Sequence, residues 1–228
     1  MSLCVIPARG GSKRIPRKNV ALFHGRPMIG WSIRAAQAAD IFARIVVSTD
    51  DAGIAEIARA EGAEVPFLRP AALSDDHSPT VPVIAHAVAA LGLPPDAPVC
   101  CLYATAPLVT PEDLRAGLAA LALGNAAYVV SVTRFGFPIQ RALSRDAAGN
   151  LAMLHPEHMQ TRSQDLPEAW HDAGQFYFAR AATWAAQTPV FGPGAVGLPL
   201  PGHRVQDIDT PEDWTRAECL FAALHPQG

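Results

Sequence analysis

Lysine is nearly missing from this chain: two residues, Lys13 and Lys18, stand against sixteen arginines in a sequence of 228. Charge of either sign is modest at 17% of residues, and the formal balance is −3. No extended basic surface therefore points to nucleic acid or to an anionic membrane. Cysteine is scarce as well. Cys4, Cys100, Cys101 and Cys219 have neither metal-ligand spacing nor the pattern of a disulfide framework. Cys4 and the Cys100-Cys101 pair lie in apolar runs and read as small buried hydrophobes. His155, His158 and His171 have no companions at zinc-ligand spacing. No apolar stretch is long enough to span a bilayer and no leader is evident, so a soluble, cytoplasmic protein without a membrane partner is expected. There is no internal repeat.

Half of the residues are apolar, enough for a substantial core in one large domain over 1–228. Strand and helix signals alternate, which predicts an α/β sheet covered on both faces. Strands are expected at 3–6, 45–47, 65–68, 99–103, 128–132 and 172–178, the 99–103 run being central and buried on both faces. Helices are expected after Pro27, over 54–60 behind Ser48-Thr49-Asp50-Asp51, and over 81–91. Two more follow the Thr-Pro-Glu-Asp caps at Thr110 and Thr210, the last with Trp214, Ala217, Phe221 and Leu224 on one face. Residues 73–80 are polar and loop-like, and 189–201 read as a Pro/Gly-rich connection. Between about 135 and 172 helix periodicity disappears and Pro, Gly, Met and aromatic residues scatter, which reads as an insertion.

The first strand runs into Ala8-Arg9-Gly10-Gly11-Ser12-Lys13-Arg14-Ile15-Pro16-Arg17-Lys18-Asn19, a turn with five cations and both lysines of the chain. Gly10 and Gly11 allow close backbone approach, and their N–H groups can form an anion-binding concavity. Compact ammonium charges beside it suit a polyphosphate. It is not a Walker A motif, because Ser12 precedes Lys13, and no third glycine completes a dinucleotide fingerprint. Near the other end stands Asp207-Ile208-Asp209. Read as a strand, it directs both carboxylates to one face. Two hard oxygen ligands there suit Mg²⁺, with Mn²⁺ as an alternative, and phosphoryl chemistry needs such an ion beside the phosphate loop.

These motifs, taken in order, resemble the acylneuraminate cytidylyltransferase family along nearly the whole chain. The resemblance implies a Rossmann-like, doubly wound, mostly parallel sheet of the nucleotide-diphospho-sugar transferase type. It implies CTP and an acidic nine-carbon sugar as substrates, with CMP transferred to the sugar and pyrophosphate released. Arg9, Lys13 and Lys18 match triphosphate contacts, and Asn19 a ribose or phosphate partner. Arg69, in Phe67-Leu68-Arg69-Pro70, matches a contact to the cytosine edge. The run 73–80, with Ser78 and Thr80, matches the loop around base and ribose, and Asp207 and Asp209 match the metal carboxylates. Tyr103, in Tyr103-Ala104-Thr105-Ala106-Pro107, stands where sialic acid members usually carry Gln. With His171-Asp172-Ala173-Gly174-Gln175-Phe176-Tyr177 and Arg204-Val205-Gln206-Asp207-Ile208-Asp209, that run is similar to the pseudaminic acid branch. Sialic, legionaminic or 3-deoxy-manno-octulosonic acid remain alternative acceptors, and a catalytically silent nucleotide-binding module on the same fold is the alternative of another class. Tyr103, Thr105, Gln140, Arg162, Gln164, Gln175 and Tyr177 are the candidate sugar contacts, Arg162 for the carboxylate. The family resemblance also implies that the insertion serves a homodimer and brings a second chain to the site.

Overall fold

A computed structural model of the chain describes residues 2–75 and 78–226. Its elements are, in order, β1 (Ser2–Pro7), β2 (Leu22–Phe23), β3 (Arg26–Pro27), α1 (Met28–Ala39), β4 (Phe42–Ser48), α2 (Ala52–Ala60), α3 (Thr80–Ala90) and β5 (Pro98–Leu102). There follow α4 (Pro111–Ala122), β6 (Tyr128–Arg134), β7 (Leu143–Arg145), β8 (Leu151–Met153), β9 (Trp170–Arg180), α5 (Ala181–Ala185), β10 (Ala195–Pro199) and α6 (Pro211–Leu224). The main sheet has six strands in the order β10-β6-β9-β5-β1-β4. Every neighbouring pair is parallel except those made by β9, which runs against both β5 and β6.

Alternation along the strands decides the two faces. Cys4, Ile6, Cys100, Leu102, Phe176 and Phe178 point into one core, where α1, α2 and α4 contribute Ile33, Ile54 and Leu114. Leu3, Val5, Val99, Cys101, Tyr177 and Ala179 point into the other, against Ile84 and Val88 of α3 and Trp184 of α5. The three cysteines of β1 and β5 are fully buried, and none of the four is paired. A third cluster joins Phe23 and Met28 to Ala217 and Phe221 of α6, with Ile208 fully buried in it. Among the described residues no helix is long and apolar enough to cross a membrane.

Helix starts follow their caps. The Asp51 side chain accepts from Ile54 N–H, and Thr110 and Thr210 each form a reciprocal box with the Asp three residues on. Three expectations are corrected. Residues 65–68 form no strand: Pro66 removes an N–H from any ladder, and only the isolated bridges Val46↔Glu64 and Thr49↔Leu68 remain. The connection at 189–201 contains β10, an edge strand whose pairing with β6 tolerates Pro199 and Gly197 because only one side is bonded. Residues 205–209 join no sheet.

Between β6 and β9 the chain projects as an arm built from short 3₁₀ turns and the β7–β8 hairpin. It leaves at Arg134 and returns at Trp170, residues that face each other on the sheet. The arm exposes Phe137, Leu143, Leu151, Leu154 and Met159, with Phe137 at 85%.

Candidate active site

After β1 the chain crosses to β4 on one side, and β5 then pairs on the other side of β1. The crevice beyond the strand ends at such a reversal is where open α/β sheets bind ligands. Here it is a cleft of about 510 Å³, within the range of small-molecule sites. Eight residues between Pro7 and Asn19, the cations Arg9, Lys13, Arg14 and Lys18 among them, supply one part of its lining, Tyr103, Ala104 and Thr105 another, and Arg69, Leu73, Asp75, Ser78, Thr80 and Val83 a third. Asp209 arrives from the far end of the sequence.

The cationic loop is held by its backbone. Ala8 N–H extends the β1–β4 ladder to the Ser48 carbonyl at 3.0 Å. Gly10 lies so close to Asp51 that a Cβ would meet Oδ2 at 2.5 Å, so a side chain there would push aside the carboxylate that caps α2. Arg17 adopts φ 52°, and its carbonyl accepts from both Val20 and Ala21 N–H. The buried Asn19 donates its amide to the Arg9 carbonyl at 2.9 Å and so braces the loop from within. Arg9 reaches across the cleft mouth to the Asp75 carbonyl at 3.0 Å.

Lys18, only 18% exposed at its side chain, lies 3.2 Å from Asp209 Oδ1 and also donates to the Ile208 carbonyl. Arg14 binds the other oxygen, Oδ2, at 2.9 Å. Two segments nearly two hundred positions apart thus meet in direct ion pairs. Burial pushes Asp209 up, but the hydrogen bond and charge of Lys18, then Arg14, hold it below the usual carboxylate range. Asp207 behaves oppositely. Crowding of its carboxyl by protein, then the field of Asp209, raises it, with Asp172 and Asp213 adding to the effect and Lys18 opposing it. Between the two acids Ile208 is fully buried, so alternation about this anchor, not a sheet ladder, keeps them on the outer side. Two crowded carboxylates are a hard-oxygen donor set suited to Mg²⁺ or Mn²⁺. Among the described residues no three His, Cys, Asp or Glu side chains cluster as ligands, so a cation here would complete its shell from water and phosphate.

A buried latch sets the approach of this segment. Arg204 forms a two-pronged pair with Asp113 of α4, one prong at 3.0 Å, and its carbonyl accepts from Gln175. Both side chains are shielded, at 18% and 9% exposure. Asp113→Ala is expected to destabilise the fold by about 3–5 kcal/mol, because Arg204 is left buried without a counter-charge; chemical denaturation measures it. Burial pushes Asp113 up, but Arg204 and Thr110 outweigh it and the carboxyl sits below its usual value. A carboxylate depressed in the folded state contributes stability above its unfolded pKa and loses it as pH falls through the folded one. Acidification below about pH 4 should therefore weaken the wild type more than Asp113→Asn.

The remaining expected site residues divide into three groups. Ala8, Arg9, Ser12, Lys13, Lys18, Asn19, Arg69, Ser78, Thr80, Tyr103, Thr105 and Asp209 line the cleft, with Gly10 and Gly11 in the adjoining turn. Arg69 is 6% exposed and donates to the Ser48 and Ala8 carbonyls and to Ser74 Oγ, so most of its fork braces β1 against β4. Gln175 and Tyr177 are buried behind the wall: Gln175 O accepts from Tyr103 N–H, and Tyr177 meets Tyr103 edge to face. Gln140, Arg162 and Gln164 lie on the arm and do not line the cleft. Gln140 donates to the Pro167 carbonyl, and the exposed Arg162 pairs with Asp165 at 2.7 Å. Asp76 and His77, within the 73–80 loop, lie outside the described residues. Two cleft features were missed in the sequence. Arg14 holds Asp209, whereas Arg17 of the same turn pairs with Asp51. Loop position alone does not separate them, since all five cations share one turn. Val83 adds to the cleft's apolar lining, which shows only once α3 packs on the sheet.

A sequence profile described as cytidylyltransferase matches residues 3–189. The chain is 40% identical over 226 residues to a pseudaminic acid cytidylyltransferase of Campylobacter jejuni, covering 98% of this chain and 97% of that one. It is 33% identical over 225 residues to a CMP-N,N'-diacetyllegionaminic acid synthase of Legionella pneumophila, covering 96% and 95%. A solved CMP:2-keto-3-deoxy-manno-octonic acid synthetase complexed with CTP superimposes with a TM-score of 0.70 at 17% identity, covering 98% of this chain and all of that one. That likeness extends over the sheet, and the sequence matches extend over nearly every residue. The chain belongs to the cytidylyltransferase family.

Proposed function

We propose that this enzyme transfers CMP from CTP to pseudaminic acid, a nine-carbon 2-keto acidic sugar, and releases pyrophosphate. The meeting of Lys18 and Asp209 in a cleft at the sheet reversal carries this reading, because it sets a cation for phosphate beside a carboxylate for metal. The 40% identity to a pseudaminic acid enzyme, against 33% to a legionaminic acid one, favours the named acceptor.

In the reaction the sugar's anomeric oxygen forms a bond to the α-phosphorus, the bond from that phosphorus to the pyrophosphate oxygen breaks, and the hydroxyl proton passes to solvent. Arg9, Lys13 and Lys18 bind the triphosphate, and the turn at Gly10 and Gly11 presents N–H groups to it. Ala8, Ser12, Asn19, Arg69, Ser78 and Thr80 shape the nucleotide side, with Leu73 and Val83 against the base. Tyr103 and Thr105 face the sugar, with Gln175 and Tyr177 behind them. Asp207 and Asp209 would hold Mg²⁺ or Mn²⁺, which when bound supplies positive charge to the phosphates and the attacking hydroxyl. No covalent step falls to a side chain, so catalysis is positioning and charge stabilisation.

The chain acts as one catalytic domain over 1–228 whose arm, about 135–172, pairs with a second copy. The row of large apolar side chains on the arm supports this, since monomers rarely expose such a patch. Gln140, Arg162 and Gln164 would then meet substrate at the partner's cleft. Four unpaired cysteines fit a reducing, cytoplasmic setting.

Pyrophosphate release from CTP with a panel of nonulosonic acids tests the reading, with particle mass by light scattering alongside. The expected result is the highest kcat/KM for pseudaminic acid, from a particle of two chains. Faster turnover of legionaminic or sialic acid would overturn the acceptor, and a one-chain particle the pairing.

A further inference from the structure

Part of the cleft lining is backed by a run of oxygens that reaches into the sheet. Thr80 Oγ1 lies 3.0 Å from the Tyr103 hydroxyl, which lies 3.5 Å from that of Tyr177. The Tyr177 hydroxyl in turn donates to Asp172 Oδ2. Asp172 sits half-buried at an irregularity of β9, where Gly174 adopts φ +62° and its N–H donates to Asp172 Oδ1 at 2.9 Å. Both carboxylate oxygens are thus engaged, and the acid is fixed at the inner end of the run.

One proton per hydroxyl settles the direction. The Tyr177 hydroxyl is the donor to Asp172 Oδ2, so its single proton points there. The Tyr177 oxygen can then only accept from Tyr103, which leaves the Tyr103 oxygen to accept from Thr80. Both phenols keep their protons: burial raises Tyr103 to about 12 and Tyr177 further still, with the nearby Asp172 adding to both. At the cleft end, Thr80 and Tyr103 therefore offer lone pairs alone. The run lies on the side of the metal carboxylates, because a Cβ on Gly174 would stand 3.7 Å from Asp207. The acceptor sugar must come to that side to reach the α-phosphorus.

We propose that Asp172 is a positioning residue that orients the Tyr177–Tyr103–Thr80 hydroxyls, so that this wall takes hydrogen-bond donors of the acidic sugar and turns away its carboxylate. The assignment rests on the cytidylyl-transfer reading above. Hydroxyl and N-acyl N–H groups meet lone pairs here, while the carboxylate is left to the arginines. A phosphate has no donor to offer at neutral pH, so the triphosphate does not compete for this wall, whose one member on the nucleotide side is Thr80.

The test uses Tyr177→Phe, which cuts the run but keeps the ring, and Asp172→Asn, whose amide can donate and so reverse it. Each is expected to raise KM for the sugar about tenfold, the worth of one buried hydrogen bond, while KM for CTP stays within about twofold. Asp172→Glu should recover part of the loss, which a general weakening of β9 would not allow. A sugar KM unchanged in Tyr177→Phe, or a CTP KM rising in step with it, overturns the inference, and that variant decides even if Asp172→Asn fails to fold. Failure of the wild type to release pyrophosphate with any sugar of the panel would instead remove the reaction assignment beneath it.

Discussion

Exchanging Asp209 for alanine is expected to lower pyrophosphate release by on the order of a thousandfold or more, and Asp207→Ala to do the same. The fold should persist. Both carboxylates sit on the outer side of a segment whose anchor is the buried Ile208, and neither fills core volume. Of the ion pairs lost with Asp209, that to Arg14 is open to water, with Arg14 63% exposed and Asp209 43%, and contributes at most about 1 kcal/mol, while the shielded Lys18 keeps the Ile208 carbonyl. Circular dichroism and a thermal midpoint within a few degrees of wild type would show that structure survives. Binding of Mn²⁺ in the presence of CTP, followed by electron spin resonance, should fall in both variants. Near-normal release from both would reject a metal role for this pair.

Lys18→Met, which keeps the aliphatic stem and removes the charge, should reduce kcat/KM by about 10²–10³, corresponding to roughly 3–4 kcal/mol for one well-placed charge on a phosphoryl group. The side chain is shielded and already fixed between the Ile208 carbonyl and Asp209, so its position is not acquired at binding. Lys18→Arg should restore only part of the rate, because a planar fork does not fit a slot shaped for a compact ammonium. An unchanged kcat/KM in Lys18→Met would mean that the loop is a scaffold alone. The two outcomes are separable from instability, since the substitution leaves every backbone bond of the turn in place.

Much of this site could be read from the chain because its chemistry is local. The glycines and cations of 9–18 share one turn, and the caps at Thr110 and Thr210 act over three residues, so no knowledge of the sheet was needed. The Asp207-Ile208-Asp209 spacing likewise put both acids on one side of the segment, although burial of Ile208 produces the alternation rather than a strand. What stayed hidden depends on register. Tyr177 meets Tyr103 only because β9 runs antiparallel to β5, and Asp172 reaches Tyr177 only because the strand is irregular at Gly174. Which of Arg14 and Arg17 faces Asp209 is set by the left-handed turn at Arg17, and no composition rule foretells that. β10 was obscured by Gly197 and Pro199, which a strand bonded on one side can accommodate.

The arm departs and comes back across a single rung, Arg134 opposite Trp170. Its length and shape can therefore be redrawn without moving any strand that carries the phosphate turn or the acidic segment. An arm hung from one rung is a part that a lineage could reshape while the cleft beside it stayed as it was.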